Sequence, residues 1–269
     1  MTAFSAKVAA LTGAPENLLE RLAGGDLSEV LLVRRPDGRV SVAKGGSATG
    51  TEAAMLRALA GAGVPAPMPE GELDGVLLLE HIDNDGIFSP HAWADIGAIV
   101  ARLHSNTDES YGWPVDFRIG TIDLHNRPTS AWPSFWAERR LISTAAVLDR
   151  PWRERVDIVA GRIDALLPSA PACALLHGDL WSGNILVAGG RLAALIDPVC
   201  YYGHCEVDLA MLTLFDTPPD AFWDGYGALE PGWEERRPAY QLFPALMHLR
   251  LFGANYGGMV DRLLITLGA

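Results

Sequence analysis

Lysine is nearly missing from this chain. Lys7 and Lys44 are the only two lysines among 269 residues, against nineteen arginines. Any site that needs a compact ammonium rather than a guanidinium fork therefore has two candidates. Cysteine is scarce as well: Cys173, Cys200 and Cys205 cannot build a disulfide framework. Cys200, His204 and Cys205 lie close together, but no second ligand pair with matching spacing completes a zinc signature. No apolar run approaches the roughly 18 residues of a membrane span. The N-terminus carries no basic leader, so a cytoplasmic location with no membrane partner is expected. Concentrated positive charge is missing too. Thirty-three acids against 21 bases give a formal charge of −12, and the densest basic clusters are the pairs Arg139-Arg140 and Arg236-Arg237. Such a chain repels phosphate backbones, and nucleic acid drops out as a principal partner.

What remains is globular in composition, with 49% hydrophobic and 20% charged residues and length for about two folding units. Residues 16–25 read as a short helix ending in Gly24-Gly25. A hairpin follows, with strands over 29–34 and 40–43 joined by the turn Pro36-Asp37-Gly38. Thr49 to Ala60 reads as a helix, and Thr49 with Glu52 fits a capping box. After a Gly/Pro loop, a second hairpin turns at Asp74-Gly75 into Val76–Glu80. From Ser89-Pro90 onward the period is helical: Ser134–Leu148 and Trp152–Leu167 are expected helices, as is most of 206–267. Only the stretch 175–196 shortens to strand period, around Gly189-Gly190. This predicts an α+β chain: residues 1–84 form a small sheet lobe with one helix, and residues 85–269 a larger, mainly helical lobe.

The densest polar string is His177-Gly178-Asp179-Leu180-Trp181-Ser182-Gly183-Asn184, with Asp197 following the next hairpin. It matches H-x-D-L-x-x-x-N, a kinase catalytic-loop pattern in which the Asp takes the hydroxyl proton and the Asn holds metal. Asp197 then stands where kinases carry a second metal-binding carboxylate. Oxygen donors of this kind suit Mg2+, and the cosubstrate expected is ATP. His177 reads as a packed, hydrogen-bonded histidine without a chemical role. Lys44 ends a strand just before a helix containing Glu52, as a phosphate-binding lysine and its glutamate partner would be arranged. Glu52 has two competing tasks, pairing with Lys44 or capping its helix. Gly24-Gly25 precedes the first hairpin strand, where a loop could fold over phosphates. No Walker loop and no G-x-S-x-G elbow is present, and Gly61-Ala62-Gly63 leads into prolines rather than a dinucleotide site.

The string His177–Asn184, the run Ile196-Asp197-Pro198-Val199-Cys200-Tyr201-Tyr202-Gly203-His204, and Glu206, Asp208, Leu209, Ala210 and Met211 together resemble the fructosamine kinase (ketosamine 3-kinase) family. That family lies within the aminoglycoside phosphotransferase branch of protein-kinase-like folds. The resemblance extends over nearly the whole chain. It implies a bilobal protein-kinase-like fold and ATP-dependent phosphorylation of the 3-hydroxyl of a sugar carried on an amine, either small or protein-bound. By the same resemblance Asp179 is the base, Asn184 and Asp197 hold Mg2+, and Lys44, Glu52 and Gly25 serve the phosphates. Glu80 to Ile82 is the hinge that pairs with adenine, Trp181, Tyr202 and His204 face the sugar-amine, and Asp208 braces the catalytic loop. Trp181 also has a plain reading as a core tryptophan. After Leu214-Phe215 the family has two glycines and a phenylalanine, whereas this chain has Asp216-Thr217-Pro218-Pro219. Two other readings stay open. One is an aminoglycoside- or choline-type phosphotransferase; the other is an ATP-binding pseudokinase regulator, against which Lys44, Asp179, Asn184 and Asp197 are all retained.

Overall fold

In the computed structural model, residues 2–22 and 28–269 are described. The chain runs α1 (Ala3–Thr12), β1 (Leu19–Arg21), β2 (Val30–Arg34), β3 (Val40–Gly45), α2 (Thr49–Gly61), β4 (Pro69–Leu73), β5 (Val76–Glu80) and α3 (Pro90–His104). It continues through β6 (Phe117–Ile119), β7 (Ile122–Leu124), α4 (Trp132–Trp136), α5 (Ser143–Ala145), α6 (Arg150–Ala160), α7 (Ile163–Leu166) and β8 (Ala174–Leu176). Then follow β9 (Ile185–Ala188), β10 (Arg191–Leu195), β11 (Tyr201–Gly203), α8 (Glu206–Phe215), α9 (Asp220–Tyr226), α10 (Trp233–Phe252) and α11 (Gly257–Thr266). Contacts divide these elements into two compact units, Met1–Ala92 with Asn184–Pro198, and Trp93–Gly183 with Val199–Ala269. Among the described residues no helix is long and apolar enough to cross a membrane.

The first unit is built on an antiparallel sheet of order β1-β2-β3-β5-β4. Strand alternation sends Leu31, Val33, Ala43, Val76 and Leu78 to one face, where they pack with Val8 of α1. Leu77 and Leu79, with Val42, face Ala53 and Leu56 of α2 on the other. Helix α1 escapes a reading by hydrophobic period, yet its ends are well specified. Thr2 Oγ1 accepts the Ser5 N–H at 3.1 Å, and Gly13 ends the helix in the left-handed region at φ 69°. The short helix expected over 16–25 is instead a 3-10 turn, Glu16–Leu18, followed by β1. Pairing of Leu19 with Val33 and Arg21 with Leu31 completes the sheet edge, and this non-local pairing overrides a weak local preference.

The β9–β10 hairpin, late in sequence, belongs to this unit through four hydrogen bonds. Leu195 N–H donates to the Pro65 carbonyl at 2.8 Å, and Asp85 N–H to that of Val187 at 2.9 Å. Gly189 N–H donates to Asp85 Oδ2 at 2.9 Å, and Ser89 Oγ to the Gly190 carbonyl at 2.7 Å. Ser89 also caps α3, accepting the Ala92 N–H at 3.0 Å.

The second unit is mainly helical around a buried aromatic core of Trp132, Phe135, Trp136, Tyr201 and Tyr240. Indole N–H groups do not go unpaired there: Trp132 Nε1 donates to Tyr240 Oη at 2.9 Å and Trp136 Nε1 to the Ala239 carbonyl at 3.1 Å. The helix expected over 134–148 is interrupted. Ala137–Ile142 forms a π-turn between α4 and α5, which swings Arg140 into the interior. Its guanidinium carbon lies 4.5 Å from the Phe135 ring centre and 4.3 Å from that of Tyr201. Nη2 donates to Asn126 Oδ1 at 2.7 Å and Nη1 to the His125 carbonyl at 3.1 Å. The helix expected over 152–167 likewise splits at Gly161 into α6 and α7. Strand β8 pairs antiparallel with β11, Leu176 opposite Tyr201. That pairing fixes the points where the chain enters His177 and leaves Cys200.

Candidate active site

In the first unit, strand parity puts Lys44 on the α2 side of β3, two residues from Val42. Glu52 lies one turn into α2 and turns back to meet it: Lys44 Nζ donates to Glu52 Oε1 at 2.7 Å and to Asp197 Oδ1 at 2.8 Å. One ammonium thus bridges two carboxylates. Burial disfavours its charge, but Asp197 and Glu52 outweigh burial and hold the Lys44 pKa above the ordinary lysine value. Burial pushes Glu52 the other way, above the usual carboxylate range, and Lys44 only partly offsets this. The capping-box alternative for Glu52 is not formed. Ala48 occupies the N-cap position, and Thr49 Oγ1 donates to Glu72 Oε1 at 2.8 Å.

Asn184 is buried, and its carbonyl accepts the Ile196 N–H at 3.0 Å, closing the base of the hairpin beside Asp197. Asp197 holds a left-handed conformation, φ 55°, uncommon for a residue with a side chain. Its side chain is 44% exposed, whereas that of Lys44 is 14% exposed. Asp197 therefore keeps carboxylate surface beyond its bond to Lys44.

In the second unit the loop leaving β8 is held by Asp208, fully buried in the first turn of α8. Its Oδ2 accepts the His177 N–H at 2.7 Å, and Oδ1 accepts the Gly178 N–H at 2.8 Å. His104 Nε2 lies 3.1 Å from Oδ2, and its Nδ1 lies 3.0 Å from Tyr226 Oη. Burial alone would raise the Asp208 pKa, but His104 and the loop N–H groups hold it below the usual carboxylate range. The carboxylate is thereby kept ionised in the interior. Gly178 is required by shape: at φ 81° a Cβ would collide with the Val199 carbonyl. His177 is fully buried, with its Nδ1 3.3 Å from the Asp179 N–H and its carbonyl accepting the Val199 N–H at 2.8 Å. Asp179 follows half-buried at the loop tip.

Trp181 is 38% exposed, which removes its reading as a core residue. Its ring sits edge-on to Phe215, centres 6.3 Å apart. Tyr202 is half-buried and stacks on Trp113 at 6.0 Å, and its backbone exchanges two 2.8 Å hydrogen bonds with Gly112. His204, expected to face substrate, has no exposed surface; its Nδ1 lies 2.7 Å from Tyr240 Oη. Burial, then Arg236 and His104, pull its pKa down to about 3, so it is a neutral interior residue. Glu80 ends β5 with its N–H donated to the Met68 carbonyl at 2.9 Å, and half-buried Ile82 follows outside the sheet. Gly25 lies outside the described residues.

Sequence reasoning missed His104 and Asp216. The first ends a helix like any polar residue. The second accepts the Ser182 N–H at 2.9 Å and so ties down the loop next to Trp181. Its signal was the departure Asp216–Pro219 itself.

Comparison with known proteins agrees with this architecture. A Synechocystis sp. protein named probable ketoamine kinase is 36% identical over 210 residues, covering 75% of this chain and 71% of that one. The crystal structure of a candidate fructosamine-3-kinase from Thermobifida fusca superposes with a TM-score of 0.86, covering 98% of both chains at 31% identity. An aminoglycoside phosphotransferase in ternary complex with AMP-PNP and hygromycin B has a TM-score of 0.67 at 17% identity, covering 98% of this chain and 99% of that one, and shares the fold. The family model described as fructosamine kinase matches residues 2–267, and the chain belongs to that family of phosphotransferases.

Proposed function

We propose that this protein transfers the γ-phosphoryl group of ATP to the 3-hydroxyl of a sugar attached to an amine, a fructosamine or related ketosamine. The observation that carries the reading is the single ammonium of Lys44 held between Glu52 and Asp197. A buried lysine with two carboxylates is a preorganised cation, and phosphoryl transfer relies on such positioned charge more than on covalent chemistry. In this reading Lys44 contacts the nucleotide phosphates and Glu52 orients it. The backbone of Glu80–Ile82 pairs with adenine. The first unit is then the nucleotide-binding part, and Asp179 and the acceptor contacts belong to the second.

The residues at the hairpin base fit a divalent cation. Asn184 and Asp197 offer oxygen donors, and Asp197 has carboxylate surface left over after its bond to Lys44. Bound there, Mg2+ would neutralise charge on the phosphates. Asp179 takes the proton of the acceptor hydroxyl as its oxygen bonds to the γ-phosphorus. The bond from that phosphorus to the β–γ bridging oxygen breaks, and ADP leaves. Asp208 and His104 keep the loop in place while Asp179 acts. Trp181 and Tyr202 border the acceptor; His204 is not assigned there, being enclosed by its own unit. A cytoplasmic site of action, on free or protein-bound glycated amines, is part of the same reading.

The test is ADP release by the purified protein with Mg2+, ATP and a fructosamine or ribulosamine, with phosphorus NMR locating the phosphate. Amine-dependent turnover yielding a sugar 3-phosphate is expected. ADP release indifferent to the ketosamine would refute the assignment.

A further inference from the structure

Helix α8 holds the catalytic loop at both ends. Asp208, in its first turn, accepts the His177 and Gly178 N–H groups where the loop begins. Asp216, the residue after its last turn, accepts the Ser182 N–H with Oδ2 at 2.9 Å where the loop ends. Eight residues of chain, about 12 Å along the helix, separate the two. Asp179 and Trp181 lie between the anchored points.

The anchor at Ser182 bears on Trp181. A peptide unit is planar, so the Ser182 N–H and the Trp181 carbonyl turn as one body. Holding that N–H fixes the rotation about the Trp181 Cα–C bond. The indole itself is met by the neighbour of Asp216: Phe215 lies edge-on to it with ring centres 6.3 Å apart, and Phe215 is backed by His248 at 4.5 Å. Two consecutive residues thus hold the backbone and the ring of one tryptophan. Gly183 makes the backbone hold necessary, because a glycine after Ser182 leaves the chain free to rotate.

Asp216 is fixed in its own place. Its N–H donates to the Leu212 carbonyl at 2.9 Å, and its backbone is extended at φ −122° and ψ 167°. Thr217 precedes Pro218 and is kept out of the helical region, and Pro218 is buried. The helix therefore stops at Phe215 and leaves Asp216 at a set point beside the loop. The family that the chain resembles has glycine there, which offers no side-chain acceptor.

We infer that Asp216 is a positioning residue for the acceptor: by fixing the Trp181–Ser182 peptide it sets how the indole is presented, and with it the affinity for the sugar-amine. Asp208 then serves the base and Asp216 the acceptor, from the two ends of one helix. The effect on turnover rests on the sugar-amine kinase reading, but the positioning can be read without it.

The kinetic arm uses the full chain. Asp216→Ala should raise the ketosamine KM about threefold to tenfold, with kcat and the ATP KM within about twofold of wild type. Asp216→Asn keeps an acceptor for Ser182 and should recover most of the loss, whereas Asp216→Glu keeps the charge but misplaces it and should behave like the Ala variant. In the double variant Asp216→Ala/Trp181→Ala the ketosamine KM should equal that of Trp181→Ala alone, since the effect travels through the indole. Independent, multiplying effects overturn the inference, as does a fall in Tm with unchanged KM values. The second arm needs no substrate. The indole N–H resonance of Trp181, assigned by its loss in Trp181→Phe, should shift or broaden in Asp216→Ala and return in Asp216→Asn. A resonance indifferent to Asp216 overturns the inference. If no ketosamine is phosphorylated while the indole still follows Asp216, the positioning stands and the sugar-amine reading fails.

Discussion

The indole of Trp181 lies over the backbone of Gly183, so close that a Cβ at position 183 would collide with the ring. The tryptophan is held half-exposed by the absence of a side chain two residues away. Gly183→Ala should therefore displace the indole and raise the ketosamine KM by several-fold to about tenfold, leaving the ATP KM unchanged. Trp181→Ala should act in the same direction with a small change in Tm, since a ring already 38% exposed has less burial to lose. Parallel steady-state kinetics and thermal melts read both outcomes. A large fall in Tm with unchanged KM values would return Trp181 to a packing role.

Removing the carboxylate of Asp179 should slow chemistry without loosening the fold. Asp179→Asn is expected to lower kcat on the order of a hundredfold or more, because positioned bases contribute about that much. Nucleotide affinity and Tm should stay near wild type. Turnover close to wild type would exclude Asp179 as the base.

The bridge made by Lys44 depends on a compact ammonium reaching two carboxylates, at 2.7 and 2.8 Å. A planar guanidinium does not fit that geometry, so Lys44→Arg should cost about tenfold or more in kcat/KM. In a chain where arginine outnumbers lysine so heavily, this exchange is a stringent test. Asp197→Ala should abolish the Mg2+ dependence of nucleotide binding, measured by titration calorimetry with and without a chelator. Full activity of Lys44→Arg would mean that the bridge is only structural.

Asp208 is a positioning residue. With two backbone N–H groups and His104 converging on it, Asp208→Ala leaves buried donors unpaired and should destabilise by about 3–5 kcal/mol. Asp208→Asn should be milder in stability yet lower kcat more than it raises either KM. Denaturant unfolding and initial-rate kinetics separate the two effects. An Asn variant with changed KM values and intact kcat would contradict loop positioning.

His204 makes stability depend on pH with a definite sign. Its pKa falls from 6.5 to about 3 in the folded protein, so below 6.5 the unfolded chain binds a proton that the folded one does not. Stability should decline between those values by up to about 1.4 kcal/mol per pH unit from this group alone. His204→Gln should reduce the slope by about one proton in urea unfolding measured across that window. An undiminished slope would show that His204 does not carry it.

Much of the candidate site can be read in the sequence because its chemistry is local: His177 to Asn184 is one loop, and Lys44 precedes Glu52 by eight residues. Distant support is harder to read. Asp208 meets the loop from 30 residues after Gly178 and is announced only by the family resemblance, whereas His104, which meets Asp208 from 104 residues earlier, has neither a periodicity nor a motif to announce it. His204 shows the converse failure, since a polar residue inside a polar motif reads as exposed until Tyr240 is seen enclosing it. The fold follows the same rule. The hairpins declared themselves through Pro36-Asp37-Gly38 and Asp74-Gly75, whereas β1 exists only because Val33 is there to pair with it.

The π-turn at Ala137–Ile142 bears on which insertions and deletions this chain can survive. Such a turn holds one residue more than an α-turn. Losing one residue between Trp136 and Arg140 would convert it to an α-turn and leave the helix beyond it in phase, so only residues inside the turn would move. Arg140 is one of them, and its contacts with Phe135 and Tyr201 and its bonds to Asn126 and His125 are what such a deletion would disturb. The helices on either side can absorb the change of length, but the buried guanidinium cannot. The number of residues between Trp132 and Arg140 should therefore be fixed in any lineage that keeps the buried guanidinium.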